Sequence, residues 1–225
     1  MEEVLLQISE LRKEQGELRK IVDALRDEVA ALRHANAGAT RSLDLRKTIH
    51  ASMGQAEAGV VVIEFSDFEC PYCRQYQQKT LPGLIKKYVD SGSIQYVFMN
   101  FPLEFHAHAQ SAAVAGVCAH QQDNFWRMHD LLFGNQAALN EATLMRLASE
   151  LELNIPAFTA CLHDPKMAAL IHDQVDLAEA LGVQGTPAFL VGRVNNGVFT
   201  DLRKMSGAQP LASFERVLDA LIAGR

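Results

Sequence analysis

The sequence predicts an α/β domain preceded by a separate helix of a different kind. Three observations carry this reading. The apolar run Val60-Val61-Val62-Ile63-Glu64-Phe65 leads, a few residues later, into Cys70-Pro71-Tyr72-Cys73 and then into apolar positions at helical spacing. Beyond them, Ile94, Tyr96 and Phe98 alternate as strand residues do. The first 36 residues keep a strict heptad seam that the rest of the chain lacks.

In the heptad segment, Ile8, Gln15, Val22 and Val29 fall at a, and Val4, Leu11, Leu18, Leu25 and Leu32 at d. A lone helix with one apolar stripe has nothing to bury that stripe against, so residues 1–36 are expected to form a coiled-coil oligomerisation helix. Arg12, Arg19, Arg26 and Arg33 occupy e, while Glu14 and Glu28 occupy g. A parallel pair sets Glu14 against Arg19 and Glu28 against Arg33; an antiparallel pair sets arginine against arginine. The parallel homo-oligomer is therefore expected. β-branched residues at a with Leu at d favour a dimer, and polar Gln15 leaves a trimer open. An amphipathic helix folded back on its own domain is the competing reading. Gly16 lies on the outer face and costs the helix about 1 kcal/mol. Residues 37–58 read as a linker: Ala37-Gly38-Ala39 breaks the heptad, Leu43, Leu45 and Ile49 suggest a short helix, and Gly54 and Gly59 precede the first strand.

The main domain is expected over residues 59–225. Its first strand delivers Cys70 to a helix start, where unsatisfied N–H groups and the positive end of the macrodipole favour thiolate over thiol. Pro71 suits the first turn, where its missing N–H costs nothing. Leu81, Leu84, Ile85, Tyr88 and Val89 carry the helix to about Asp90, with Pro82-Gly83 kinking or interrupting it. A strand from Ser93 to Met99 ends at Asn100-Phe101-Pro102. The stretch from about His106 to Leu181 reads as several helices, punctuated by Gly134, Asn154-Ile155-Pro156 and Asp164-Pro165. Gly185-Thr186-Pro187 then precedes Ala188-Phe189-Leu190-Val191. A proline directly before an apolar strand is an odd place for a residue that cannot donate to a ladder. A cis Thr186–Pro187 bond explains it, against an ordinary trans proline.

The cysteines set the chemistry. A strand–CxxC–helix context is what a redox pair requires. A structural zinc site is the alternative, but it needs four ligands, normally with a second close pair. Cys118 and Cys161 stand alone in helical stretches, and His106 and His108 are near neighbours without being a convincing ligand pair. Cys118 and Cys161 are either buried free thiols or a structural disulfide. As a disulfide they close a loop of about 44 residues, worth roughly 4 kcal/mol in the loop-entropy model. A bond would also imply an oxidising compartment.

Composition bounds the rest. With 225 residues, 48% hydrophobic and 21% charged, the chain can bury a substantial core. A net charge of −6 argues against nucleic acid as a partner. No apolar run approaches the ~20 residues a bilayer demands. Met1-Glu2-Glu3 is acidic with no apolar stretch behind it, so either the protein is cytosolic or a leader has been removed.

Taken together, Phe65-Ser66-Asp67-Phe68-Glu69-Cys70-Pro71-Tyr72-Cys73, Asn100-Phe101-Pro102-Leu103, Phe125-Trp126 with His129-Asp130-Leu131-Leu132, and Gly182-Val183-Gln184-Gly185-Thr186-Pro187 resemble the DsbA-like thiol:disulfide oxidoreductases. The resemblance covers about residues 58–225. It implies a thioredoxin fold with a helical insertion over about residues 105–181, completed by strands near 188–191 and 198–205 and a helix over about 210–223. It implies Cys70 as nucleophile, Cys73 as resolving thiol, Pro187 as the cis-proline beside them and Thr186 as its substrate-facing neighbour, with Pro71, Tyr72 and Gly185 in substrate binding. Glu64, six residues before Cys70, matches the family's buried acid; as a bare feature it is equally a strand residue facing solvent. The implied location is periplasmic, with the signal peptide removed. The implied partners are unfolded or misoxidised proteins and a membrane redox partner. No metal or organic cofactor is needed.

Within that family, Pro71-Tyr72 departs from the Pro-His of the strongly oxidising type. Thr186 resembles the residue before the cis-proline in the dimeric isomerases DsbC and DsbG, and the heptad helix resembles the oligomerising segments of such proteins and of trimeric ScsC-like ones. A disulfide isomerase with oxidase activity is expected. A monofunctional oxidase, a glutaredoxin-like reductase, and a non-enzymatic oligomeric binding scaffold are the competing readings.

Overall fold

The computed structural model describes residues 15–17, 19, 20, 22, 51–195 and 198–224. The chain divides into two compact units, residues 1–42 and 43–225. In the first, the described residues are helical. The heptad seam as a whole, its oligomeric state and the short helix expected around residues 43–49 lie outside the described residues.

The second unit is built on a five-stranded sheet in the order β1-β3-β2-β4-β5. Its strands are β1 (Ala51–Gly54), β2 (Val60–Ser66), β3 (Gln95–Asn100), β4 (Ala188–Asn195) and β5 (Val198–Ser206). The central β2 pairs parallel with β3 and antiparallel with β4; β1 and β5 run antiparallel on the two outer edges. β1 falls inside the stretch expected to be linker, so the first strand comes earlier than the sequence suggested. Four residues of mixed polarity carry too little period-2 signal to read as a strand. Pairing with β3 (Ala51 opposite Phe98, Gly54 opposite Gln95) is what makes them one. Gly54 closes the strand at φ +86°, where a Cβ would stand 2.5 Å from the Ile94 carbonyl.

All seven residues of β2 are buried, because both faces of the sheet are covered. Val60 and Val62 pack with Tyr76, Leu84 and Tyr96 beneath helices α1 (Pro71–Lys79), α2 (Leu81–Leu84) and the last helix of the chain, Leu211–Ala223. Val61, Ile63 and Phe65 face the opposite way, towards Ala178, Val183, Leu190 and Phe199. The helix after Cys73 is interrupted as Pro82-Gly83 foretold. It breaks at Thr80 and resumes through α2 into a π-helical turn, Ile85–Val89.

Between β3 and β4 lie α3 (Ala109–His120), α4 (Phe125–Gly134), α5 (Glu141–Glu150), α6 (Ile155–Leu162) and α7 (Pro165–Ala180); the final helix is α8. The punctuation read from sequence falls at their ends and starts, Gly134 closing α4 and Asn154 and Asp164 capping α6 and α7. Asn154 Oδ1 accepts from Ala157 N–H at 3.0 Å and Asp164 Oδ1 from Lys166 N–H at 2.9 Å, each with a proline in the first turn behind it. Such caps contribute about 1 kcal/mol each. The helical block has its own core, including Phe133, Leu144, Leu147 and Phe158, and Cys118 in α3 is bonded to Cys161 in α6 with Cα atoms 5.7 Å apart. The architecture is a thioredoxin fold with a helical insertion, as the resemblance implied. No described helix is long and apolar enough to cross a membrane.

Candidate active site

Cys70 is the N-cap of α1, with extended backbone at φ −73° and ψ 120° and Pro71 in the first turn. No acidic residue stands in that turn to offset the positive end of the helix from within it. The Cys70 thiol donates to the Thr186 carbonyl across 3.4 Å, bringing together two segments 116 residues apart. The Thr186–Pro187 bond is cis. Pro187 is buried and its carbonyl accepts from Gly207 N–H at 2.8 Å, so the proline keeps an acceptor in the β4–β5 ladder while presenting no donor.

Both cysteines are reduced, and their environments push them apart. The Cys70 thiol is lowered from an ordinary 9.0 to about 6. The largest cause is a hydrogen bond from Cys73; burial opposes it, and the Thr186 hydroxyl and the N–H groups of Cys73 and Tyr72 add to the lowering. Cys73 is driven well above the ordinary value, first by burial, then by the hydrogen bond it gives Cys70 and by the negative charges of Cys70 and Glu64. One sulfur is held ready as an anion and the other is kept protonated behind it.

Glu64 is buried on β2, not solvent-facing, and burial raises its carboxyl above 4.5. Tyr96 donates its hydroxyl to Glu64 Oε2, and the Tyr76 hydroxyl lies 3.3 Å from that of Tyr96. His129, on α4 and fully buried among the rings of Phe68, Phe98, Phe125, Trp126 and Phe133, lends Glu64 a further stabilising field. Tyr72 and Pro71 are exposed at the tip, Tyr72 at 62%, and Gly185 is half-buried beside Thr186. A groove lined by Phe101, Leu103, Glu104, Val175, Glu179 and Gln184 ends, along the chain, one residue before Gly185.

Several residues that hold this arrangement escaped the sequence reading. Asp67 is buried, and its carboxylate accepts from Glu69 N–H at 2.7 Å, from Leu103 N–H at 2.8 Å and from His106 Nδ1 at 2.7 Å. Glu69 Oε2 takes His108 N–H at 2.6 Å. Gln136, just after α4, donates through Nε2 to the carbonyls of Phe68 (2.8 Å) and Cys70 (2.9 Å), fastening the insertion to the cysteine loop. Asp67 sits inside the motif quoted above, and His106 and His108 are near neighbours in sequence without being a convincing ligand pair. Neither observation pairs Asp67 with His106 across 39 positions. Gln136 carries no local signal at all. Among the described residues there is no group of three or more His, Cys, Asp or Glu side chains set to hold a metal ion.

A thioredoxin family model matches residues 46–219. The chain is 42% identical over 148 residues to Na(+)/H(+) antiporter NhaA 3 of Salinispora tropica, covering 65% of this chain and 22% of that protein. It therefore spans about a fifth of that relative's length. It is 32% identical over 162 residues to the probable disulfide bond formation protein D of Bacillus anthracis, covering 68% of this chain and 75% of the relative. The crystal structure of Wolbachia pipientis alpha-DsbA1 superimposes with a TM-score of 0.70 at 24% identity, over 81% of this chain and 96% of that one.

Proposed function

The chain belongs to the thioredoxin family, and from that premise we propose that it is a DsbA-like enzyme exchanging thiols and disulfides on protein substrates. The observation that carries this is the placement of two sulfurs three positions apart, Cys70 at a helix start against the Thr186 carbonyl and Cys73 fully buried behind it, which lowers the first thiol to about 6 and pushes the second up. When oxidised, Cys70 is attacked by a substrate thiolate, and a second substrate thiol releases the product disulfide. When reduced, the Cys70 thiolate attacks a substrate disulfide. The mixed disulfide then rearranges, or is released by Cys73. Pro71, Tyr72, Gly185 and Thr186 line the approach to Cys70. The groove that ends, along the chain, one residue before Gly185 suits an extended chain held by strand-like hydrogen bonds.

The finer reading is a disulfide isomerase with oxidase activity, acting outside the cytoplasm as a parallel homo-oligomer through residues 1–36, with a membrane protein as redox partner. The heptad seam, Pro71-Tyr72 and Thr186 support it. Linked copies raise the local concentration of catalytic thiols around one bound substrate. The monofunctional oxidase is the second reading, favoured by the similarity to a probable disulfide bond formation protein. Removal of residues 1–36 separates the two. The truncated chain is expected to be a monomer that still oxidises dithiols but loses most of its ability to refold a scrambled disulfide protein. Undiminished isomerisation by the truncated chain overturns the role given to the oligomer, and a full chain that oxidises dithiols without refolding the scrambled protein overturns the isomerase reading.

A further inference from the structure

Ser66 ends β2, two residues beyond Glu64, so both side chains leave the same face of the sheet. α1 covers that face, and its buried positions are Cys73 and Tyr76. Tyr76 meets the Glu64 end through the Tyr96 hydroxyl. Cys73, one helical turn nearer the start of α1, lies over the next step of the strand, where Ser66 stands. The Ser66 hydroxyl is buried and commits to no full hydrogen bond. This hydroxyl is a minor influence lowering both the Glu64 carboxyl and the Cys73 thiol, ranking below burial and the other neighbours in each case. A buried hydroxyl left uncommitted is unfavourable by about 1–3 kcal/mol, a cost that a purely structural position would avoid with Ala or Val.

We propose that Ser66 is a catalytic residue, its hydroxyl carrying the Cys73 proton to the Glu64 carboxylate when Cys73 resolves a mixed disulfide. This rests on the thiol–disulfide exchange proposed above and names its proton path. Cys73 is fully buried, so bulk water does not reach its thiol. Glu64 stands back along the strand by about 6.7 Å at the Cα atoms, with its carboxyl already engaged by Tyr96. A hydroxyl in between both accepts and donates. Ser66 Oγ takes the proton from Cys73 Sγ and passes its own to Glu64. The Cys73 thiolate attacks Cys70 Sγ, the Cys70–Cys73 bond forms, and the bond from Cys70 to the substrate sulfur breaks. Two electrons leave with the substrate as its thiolate, the enzyme dithiol is oxidised to the disulfide, and Glu64 ends protonated. In the reverse direction the same proton returns to Cys73.

The test compares Ser66→Val with Ser66→Thr, side chains of like shape that differ in the hydroxyl, in the full chain. Rapid mixing of reduced enzyme with a small aromatic disulfide follows capture by Cys70 and then release by Cys73 as separate phases. Val is expected to slow release relative to capture by tenfold or more, with a release rate that climbs with hydroxide concentration, while Thr restores it. Equal release-to-capture ratios in the two variants overturn the proposal. Ser66→Ala gives the same readout if the larger side chains disturb folding. Failure of exchange itself has a different signature: wild-type enzyme then shows no capture phase on Cys70.

Discussion

Cys70 and Glu64 titrate in opposite senses, and each leaves a mark on stability. The folded reduced chain gives up the Cys70 proton near 6, the unfolded one near its ordinary 9.0. The stabilisation is complete above about 9 and is lost as pH falls towards 6, so the reduced protein is expected to grow more stable as pH rises between those values. Denaturant unfolding checks this, and Cys70→Ser should flatten the rise. Alkylation of Cys70 should follow the same titration, reaching its plateau above about pH 7. Glu64 behaves the other way. Its raised carboxyl contributes fully below 4.5 and that contribution fades as pH climbs through the folded value. In the oxidised chain, where Cys70 no longer titrates, Glu64→Gln is expected to remove this fall and to be the more stable protein at pH 8. Asp67 is a different kind of residue, a clamp. Asp67→Ala strands the N–H groups of Glu69 and Leu103 and should cost about 2 kcal/mol in urea unfolding. It should also loosen the loop on which Cys70 sits.

At the scale of elements, the insertion is fastened to the candidate active site without carrying Cys70 or Cys73. α4 supplies His129 to the Glu64 cluster, and the turn behind it supplies Gln136 to the Cys70 carbonyl. The block is tied internally by Cys118–Cys161, which joins α3 to α6 over 43 positions of chain. Replacing both cysteines by Ala is expected to cost roughly 4 kcal/mol, read as a lower denaturant midpoint. Thiol exchange should persist, because this bond joins α3 to α6 and leaves Cys70 and Cys73 free. Such elements were legible from sequence in proportion to their local signals. Prolines and Asx caps announced α6 and α7, and an unbroken apolar run announced β2. β1 had no such signal, since its identity as a strand lies in its pairing with β3.

For the whole molecule, the residues that carry chemistry split between the sequence and its folding. Cys70-Pro71-Tyr72-Cys73 states its own case, because two thiols at a helix start are made reactive by spacing and by backbone charges that lie within one turn of them. Gly185-Thr186-Pro187 is legible only alongside that motif. The heptad seam of residues 1–36 likewise speaks through its period, and its consequence for isomerisation is the truncation experiment above. What no local pattern holds is the meeting of Cys70 with Thr186, of Asp67 with His106, and of Glu64 with Tyr96 and His129. Each joins positions separated by 32 to 116 residues, or, for His129, by the whole first part of the insertion. The acidity of a sulfur and the burial of a carboxyl are properties of everything packed around them. Sequence alone marked the two sulfurs proposed to react; the tertiary structure decided their charge, because electrostatic energy depends on distance through space and on the exclusion of water rather than on order along the chain.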